Sequence, residues 1–185
     1  MCRKLLIIGF CLCVIGLFVG NAHALVYSWD GGGDGTSWED ADNWNREPDV
    51  PSSSDDINIE TGTCHVDADT GSVSCITGYV PRGQTGGGSL NIDTGGTLTV
   101  SDKLYLGRYS AAANGEVSIN GGTLNVDGTA TRGMNQELNL NSGTVNVNGW
   151  LVTGSWSDGY GATTININGG NLNVDRGVRL GNSSA

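Results

Sequence analysis

The chain has 185 residues, with 19 acidic residues against 9 basic ones, a formal net charge of −10, 31 glycines and 5 cysteines. Such an acidic chain is repelled by phosphate backbones and anionic lipid, which argues against nucleic acid as a partner. The length suits one domain, and so many glycines leave helices no foothold.

Residues 1–24 read as a secretory signal peptide. Arg3 and Lys4 precede an apolar run over residues 5–20, and "NAHA" then closes on a small-residue cleavage site at Ala24. A membrane span would need roughly 20 apolar residues without that site, so no insertion of the mature chain is expected. Cys11 follows Phe10 and Cys13 follows Leu12, not a small residue, which argues against a lipoprotein. The mature chain is therefore expected to begin near Leu25 and to be secreted or displayed at the cell surface. It keeps all nineteen acidic residues but only seven basic ones, with Cys64 and Cys75 as its remaining cysteines. In an oxidising compartment those two are expected to form a disulfide, with a pair of small buried core thiols as the alternative.

Residues 25–56 form an N-terminal cap in this reading. Tyr27, Trp29, Trp38 and Trp44 supply the apolar cover that the open end of a repeat array requires. The acidic residues Asp30, Asp34, Asp40, Asp42, Asp55 and Asp56 read as turn formers, because their spacing matches neither an EF-hand loop nor a G-G-x-G-x-D repeat. Bound Ca²⁺ is the alternative.

From residue 57 the chain repeats itself. "INGGTLNVDGTATRG" from Ile119 returns 48 residues later as "INGGNLNVDRGVRLG" from Ile167. The shared frame is an alternating pair, a glycine turn and a second alternating run. It gives "INIETGTCHVD" from Ile57, "LNIDTGGTLTVS" from Leu90, "VSINGGTLNVD" from Val117, "LNLNSGTVNVN" from Leu138 and "ININGGNLNVD" from Ile165. A third short run ending in glycine follows each copy. Starting points advance by 33, 27, 21 and 27 residues, a constant strand block with a variable insertion. The alternation places Leu90, Ile92, Leu98, Val100, Leu104 and Leu106 inside, and equivalent residues stack above them. No single copy could bury its apolar face alone. The predicted fold is all-β: a single-stranded right-handed parallel β-helix of about five three-strand rungs over residues 57–185, behind the aromatic cap. The chain stops directly after the third strand of the last copy, which suggests the front part of a longer polypeptide.

The frame assigns columns. Cys64 takes the position of Leu98 and Cys75 that of Leu104, both inward in one rung, consistent with the expected disulfide. His65 falls in the outward column of Thr99, Asn125, Asn146 and Asn173, where a lone histidine without an orienting partner is a poor general base. Asp67, Ser101, Asp127, Asn148 and Asp175 share one corner. Asp127 and Asp175 two rungs apart, about 10 Å, suit a carboxylate pair, although Asp and Asn are also ordinary turn residues.

Insertions enter at one corner: "RYSAAANGE" after Gly107, "MNQE" after Gly133 and "SWSDGYGATT" after Gly154. They bring Tyr109, Trp156 and Tyr160 beside Arg108, Asn114 and Asp158, a set suited to stacking on and hydrogen-bonding pyranose rings. These six residues are the candidate carbohydrate-binding site. The alternative is that the loop aromatics pack on one another and the chain is a passive spacer.

"YSWDGGGDGTSWEDADNW" from Tyr27, followed by "SDDINIETGT" from Ser54 and "GGTLTV"-type rungs, resembles the opening of secreted or surface-displayed bacterial β-solenoid proteins in the style of autotransporter passenger domains. The resemblance spans the mature chain. It implies the architecture, and a function among adhesins, structural surface proteins and, more distantly, polysaccharide-degrading enzymes.

"GGGDG" and "GQTGGG" lack the lysine and the strand-then-helix context of a phosphate cradle. There is no Ser-His-Asp set, no zinc spacing and no cluster of Lys and Arg such as pectate-type lyases would place on a strand face. The sequence therefore reads as a non-enzymatic structural or adhesive module without a cofactor. Its expected partner is polysaccharide or a cell-surface glycan, and a fragment of a β-helix hydrolase or lyase is the alternative.

Overall fold

A computed structural model describes residues 24–82, 87–107, 114–132, 136–153 and 164–180. The described residues form thirteen strands, all paired in parallel, and no α-helix. The strands are β1 Val26–Trp29, β2 Asp56–Ile59, β3 Thr63–Val66, β4 Ser72–Val80, β5 Ser89–Asp93, β6 Thr97–Leu106, β7 Glu116–Val126, β8 Thr129–Arg132, β9 Glu137–Val147, β10 Trp150–Thr153, β11 Thr164–Ile167, β12 Asn171–Val174 and β13 Gly177–Leu180.

They stack into three faces of a β-solenoid with about five turns. Face A holds β1, β2, residues 77–80 of β4, residues 103–106 of β6, β8, β10 and β13. Face B holds β3, β5, residues 116–119 of β7, residues 137–140 of β9, and β11. Face C holds residues 72–75, 97–100, 123–126 and 144–147 of β4, β6, β7 and β9, then β12. Each strand segment bonds to the segment of the same face one rung away. A residue therefore sits above its counterpart 26, 21 or 27 positions later, as Thr99, Asn125, Asn146 and Asn173 do.

The alternation of side chains turns this register into a core. Leu90, Val117 and Leu138 form one inward column on face B, Leu98, Leu124 and Val145 one on face C, and Leu104, Ala130 and Leu151 one on face A, all buried. Gly78 heads the last of these between Ile57 and Leu104, where a Cβ would meet the Leu104 side chain at 2.9 Å.

Outward positions carry asparagine ladders. In the corner after face B, Asn120 donates to Asp93 at 3.1 Å, Asn141 to Asn120 at 2.9 Å and Asn168 to Asn141 at 2.9 Å. On face C, Asn146 donates to Asn125 at 2.9 Å and Asn173 to Asn146 at 2.8 Å. One side-chain type repeated at one rung spacing lets every amide donate downward and accept from above.

The cap closes the first rung. Trp44 lies edge-on to Trp29 at 5.1 Å and to Trp38 at 5.0 Å, and all three indoles are at most 3% exposed. They are core, so they offer no stacking platform to a sugar. Most of the cluster's carboxylates cap backbone N–H groups: Asp30 accepts from Gly32, Asp40 from Asp34 and Asp42, and Asp56 from Thr77. Asp34 accepts from the N–H groups of Thr36 and Ser37, from the Ser37 hydroxyl and from Asn43 Nδ2. These donors, the Ser37 hydroxyl first, hold its carboxyl well below the usual carboxylate range.

The structure corrects the frame of the first copy. Residues 57–59, read as its first strand, lie on face A, where Ile57 pairs with Tyr27 and Gly78. The first complete rung begins at Thr63, so Cys64 stacks on Leu90 of face B and Cys75 on Val100 of face C. His65 accordingly joins the column of Asn91 and Ser118, while Ser74 heads the Thr99 column. Asp67 likewise leaves the Asp127 corner, since Val66, just before it, pairs with Ile92.

Leu98→Ala should cost about 2–5 kcal/mol in urea unfolding, as a large side chain lost from a closed column does. At the corner between faces C and A, a Cβ on Gly128 would strike the Asp102 carbonyl, whereas one on Gly71, at φ +69°, would meet nothing. Gly128→Ala should therefore reach the upper end of the roughly 1–3 kcal/mol that overpacking costs, and Gly71→Ala only about 1 kcal/mol for its left-handed backbone. The lowered Asp34 pKa makes its contribution present above the ordinary carboxylate pKa of about 4 and lost as pH falls toward the folded value. Asp34→Asn should lower Tm at pH 7, and the gap from the parent chain should close on acidification, followed by thermal melts across pH.

Candidate functional site

Rung length varies most at one corner, that from face A to face B, while the corner from face B to face C shortens by only two residues from the first rung to the third. β7 and β9 turn from face B to face C without a break, β4 and β6 turn from face C to face A without a break, and in the later rungs two residues join face C to face A: Asp127-Gly128, Asn148-Gly149 and Asp175-Arg176. The connections from face A to face B run instead from Val80 to Ser89, Leu106 to Glu116, Arg132 to Glu137 and Thr153 to Thr164. They include the insertions found in the sequence. Of the six candidate carbohydrate contacts, Arg108, Tyr109, Trp156, Asp158 and Tyr160 lie outside the described residues, and Asn114 lies within them.

At this corner a cavity of about 530 Å³ opens between Ser89, Asn114, Gly115, Glu116, Gln136, Glu137 and Thr164. Its base is backbone: Glu116 N–H donates to the Gly88 carbonyl at 3.2 Å, Glu137 N–H to Gly115 at 3.1 Å and Thr164 N–H to Gln136 at 3.1 Å. The Gln136 side chain, 1% exposed, plugs the corner and accepts from the Gly115 N–H through Oε1. A side chain on Gly107 or Gly115 would collide with it. Asn114 stands exposed at the rim.

Two carboxylates face this groove. Glu116 and Glu137 are in register on adjacent rungs, where like charges repel. Asn139 Nδ2 donates to both, at 2.8 Å to Glu116 Oε1 and 3.4 Å to Glu137 Oε2, and the Ser118 hydroxyl donates to Glu116 at 2.6 Å. Shared donors offset that repulsion and hold the carboxylates in place. The groove thus presents fixed oxygen acceptors with amides beside them, the complement of a hydroxyl-rich ligand. Sequence reading passed over Glu116, Gln136 and Glu137. Their signal was positional: "GEVSIN" and "QELNLN" put glutamate at one place in two successive copies.

A comparison with protein families, curated proteins and solved structures finds no match. The functional reading therefore rests on the groove and the faces around it.

The remaining candidates are placed as follows. Asp127 and Asp175 stand exposed at the corner between faces C and A, away from the groove lining, and Asn148 donates to Asp127 at 2.9 Å. His65, read as unpartnered, bonds through Nδ1 to Asp93 Oδ2 at 2.6 Å, at the foot of an asparagine ladder. Among the described residues no group of three or more His, Cys, Asp and Glu side chains could hold a metal ion.

The expected disulfide is absent. Cys64 and Cys75 are free thiols, fully buried, because the corrected register sends them inward from two different faces, each sealed in its own column. Burial pushes the Cys75 thiol up to about 12 and raises Cys64 well above its ordinary value, so neither is a nucleophile. The melting temperature should be the same with and without dithiothreitol, a comparison that would drop by several degrees if a bond joined them.

Proposed function

We propose that this chain is a non-enzymatic structural and adhesive β-solenoid, secreted or held at the cell surface, which contacts polysaccharide at the corner between faces A and B. One observation carries the reading: the corner at which rung length varies most is where a polar groove opens, lined by Asn114, Glu116, Gln136 and Glu137. A nearly constant scaffold with one strongly variable edge is the arrangement in which loops carry recognition. Carboxylates and amides held by backbone and by Asn139 suit sugar hydroxyls. Tyr109, Trp156 and Tyr160, in the segments entering at this corner, would supply stacking surfaces. The leader over residues 1–24 supports export.

A β-helix hydrolase is the second reading, favoured by the Glu116–Glu137 pair. Pull-down on insoluble and soluble polysaccharides, with reducing sugar assayed in the same supernatants, separates the two. Binding without sugar release is expected. A Trp156→Ala, Tyr160→Ala double variant should bind at least about tenfold more weakly, as loss of two aromatic anchors does. Sugar release abolished by Glu116→Gln would instead establish the hydrolase.

A further inference from the structure

The fold sorts the charges. Beyond the leader there are seven basic residues against nineteen acidic ones. Lys103 stands in β6 and Arg179 in β13, both at outward positions of face A, and Arg132 stands in β8 at the register position of Leu106. Arg82 follows the face A end of β4, and its guanidinium lies 4.9 Å from the Tyr79 ring. Arg46 donates to the Val26 carbonyl of β1 at 2.9 Å, and Arg176 directly precedes β13. Every basic residue in the described regions is thus on face A or at its margin. Only Asp56, at the N-terminal end, is acidic within a face A strand; at its margins Asp102 pairs with Lys103 at 3.2 Å, Asp127 and Asp175 share the corner of Arg176, and Asp30, Asp55 and Glu60 flank β1 and β2.

Aromatic rings alternate with these cations. Tyr79 and Tyr105, on adjacent rungs, stack at 5.3 Å with planes 7° apart, and the Arg179 guanidinium lies 3.8 Å from the centre of the Trp150 ring. Lys103 keeps 43% of its side chain exposed, and Arg179 is exposed as well. From the rung of Lys103 to that of Arg179 the face spans about 14 Å of the axis, on a rigid parallel sheet.

We infer that face A is the docking surface for an acidic polysaccharide, a polymer whose sugars carry carboxylates. The inference rests on the reading that this chain contacts polysaccharide, and adds a second surface and the charge of the polymer. Arginine guanidinium groups match carboxylates in shape and charge, and the Tyr79 and Trp150 rings hold Arg82 and Arg179 against the face by cation–π contact. The rest of the molecule repels such a polymer and confines it to this face. Glu116 and Glu137 keep it off the corner groove, which is left to neutral hydroxyls.

The test is affinity electrophoresis of the full chain through gels holding polygalacturonate or a neutral glucan, at about 0.1 M salt, where charges more than roughly 10 Å away are screened. Polygalacturonate should retard the chain. Lys103→Gln, Arg179→Gln together should weaken this about tenfold, while Glu137→Gln should leave it unchanged or tighten it. Neutral glucan retardation should be untouched by the face A variant. Unchanged polygalacturonate binding in that variant overturns the inference. So does equal binding of duplex DNA or phosphatidylserine vesicles, which would mark unspecific charge attraction, or a dimer in sedimentation that the variant abolishes, which would make face A a contact between copies. Retention by neutral glucan alone leaves the corner reading standing and this one refuted, whereas no retention by either polymer refutes both.

Discussion

Everything in this molecule depends on the hydrogen bonding of each strand to the strand one turn away. Successive strands in sequence are separated by corners, so the backbone of every segment finds its partners only when the chain has come full circle. The spacing of about 4.8 Å between parallel strands then becomes the spacing between like residues. An apolar position becomes a column, an asparagine becomes a ladder, and a glycine at a corner becomes a stack of close backbone approaches. Identical positions must therefore hold compatible residues through successive turns, which is why the chain repeats itself.

The same constraint accounts for the ends and the corners. The first rung has nothing beneath its apolar cross-section, and three indoles with a tyrosine occupy that place, locked by the capping of Asp34 and its neighbours. The corner between faces B and C is pinned by backbone contacts that tolerate no Cβ at Gly122 or Gly143, and the corner between C and A by contacts that tolerate none at Gly128 or Gly149. The corner from A to B closes around the Gln136 plug and leaves the connecting segments free to differ in length. The largest variation and a polar groove are found together there, because this corner takes the longest insertions without shifting a column.

A solenoid also separates chemistry by face. Side chains that look scattered along the chain fall into files: amides and hydroxyls on face C, glutamates and asparagines on face B, rings and cations on face A. The acidic composition of the chain hides the gathering of its few cations along one face. No sequence window shows this, since Lys103 and Arg179 belong to one surface only through three intervening turns of pairing.

The sequence by itself determined that the chain is a stack of three-strand turns, which residues of the later copies point inward, where insertions enter and what covers the first rung. Those follow from alternation and from near-identical copies, and both are local signals. It could not determine the phase of the first turn. Three strands of similar length and pattern follow one another there, and "INIE" serves equally as the first strand of one turn or the last of the one before. Only the pairing of Ile57 with Tyr27 on one side and Gly78 on the other decides it. That single shift separates Cys64 from Cys75 onto different faces, gives His65 its aspartate, and moves Asp67 to another corner. The groove at Glu116 and Glu137 and the gathering of cations on face A were likewise decided by tertiary structure. They join residues 21 to 100 positions apart, and a distance of that kind is set by how many residues each turn contains, a quantity fixed by axial register and by nothing local.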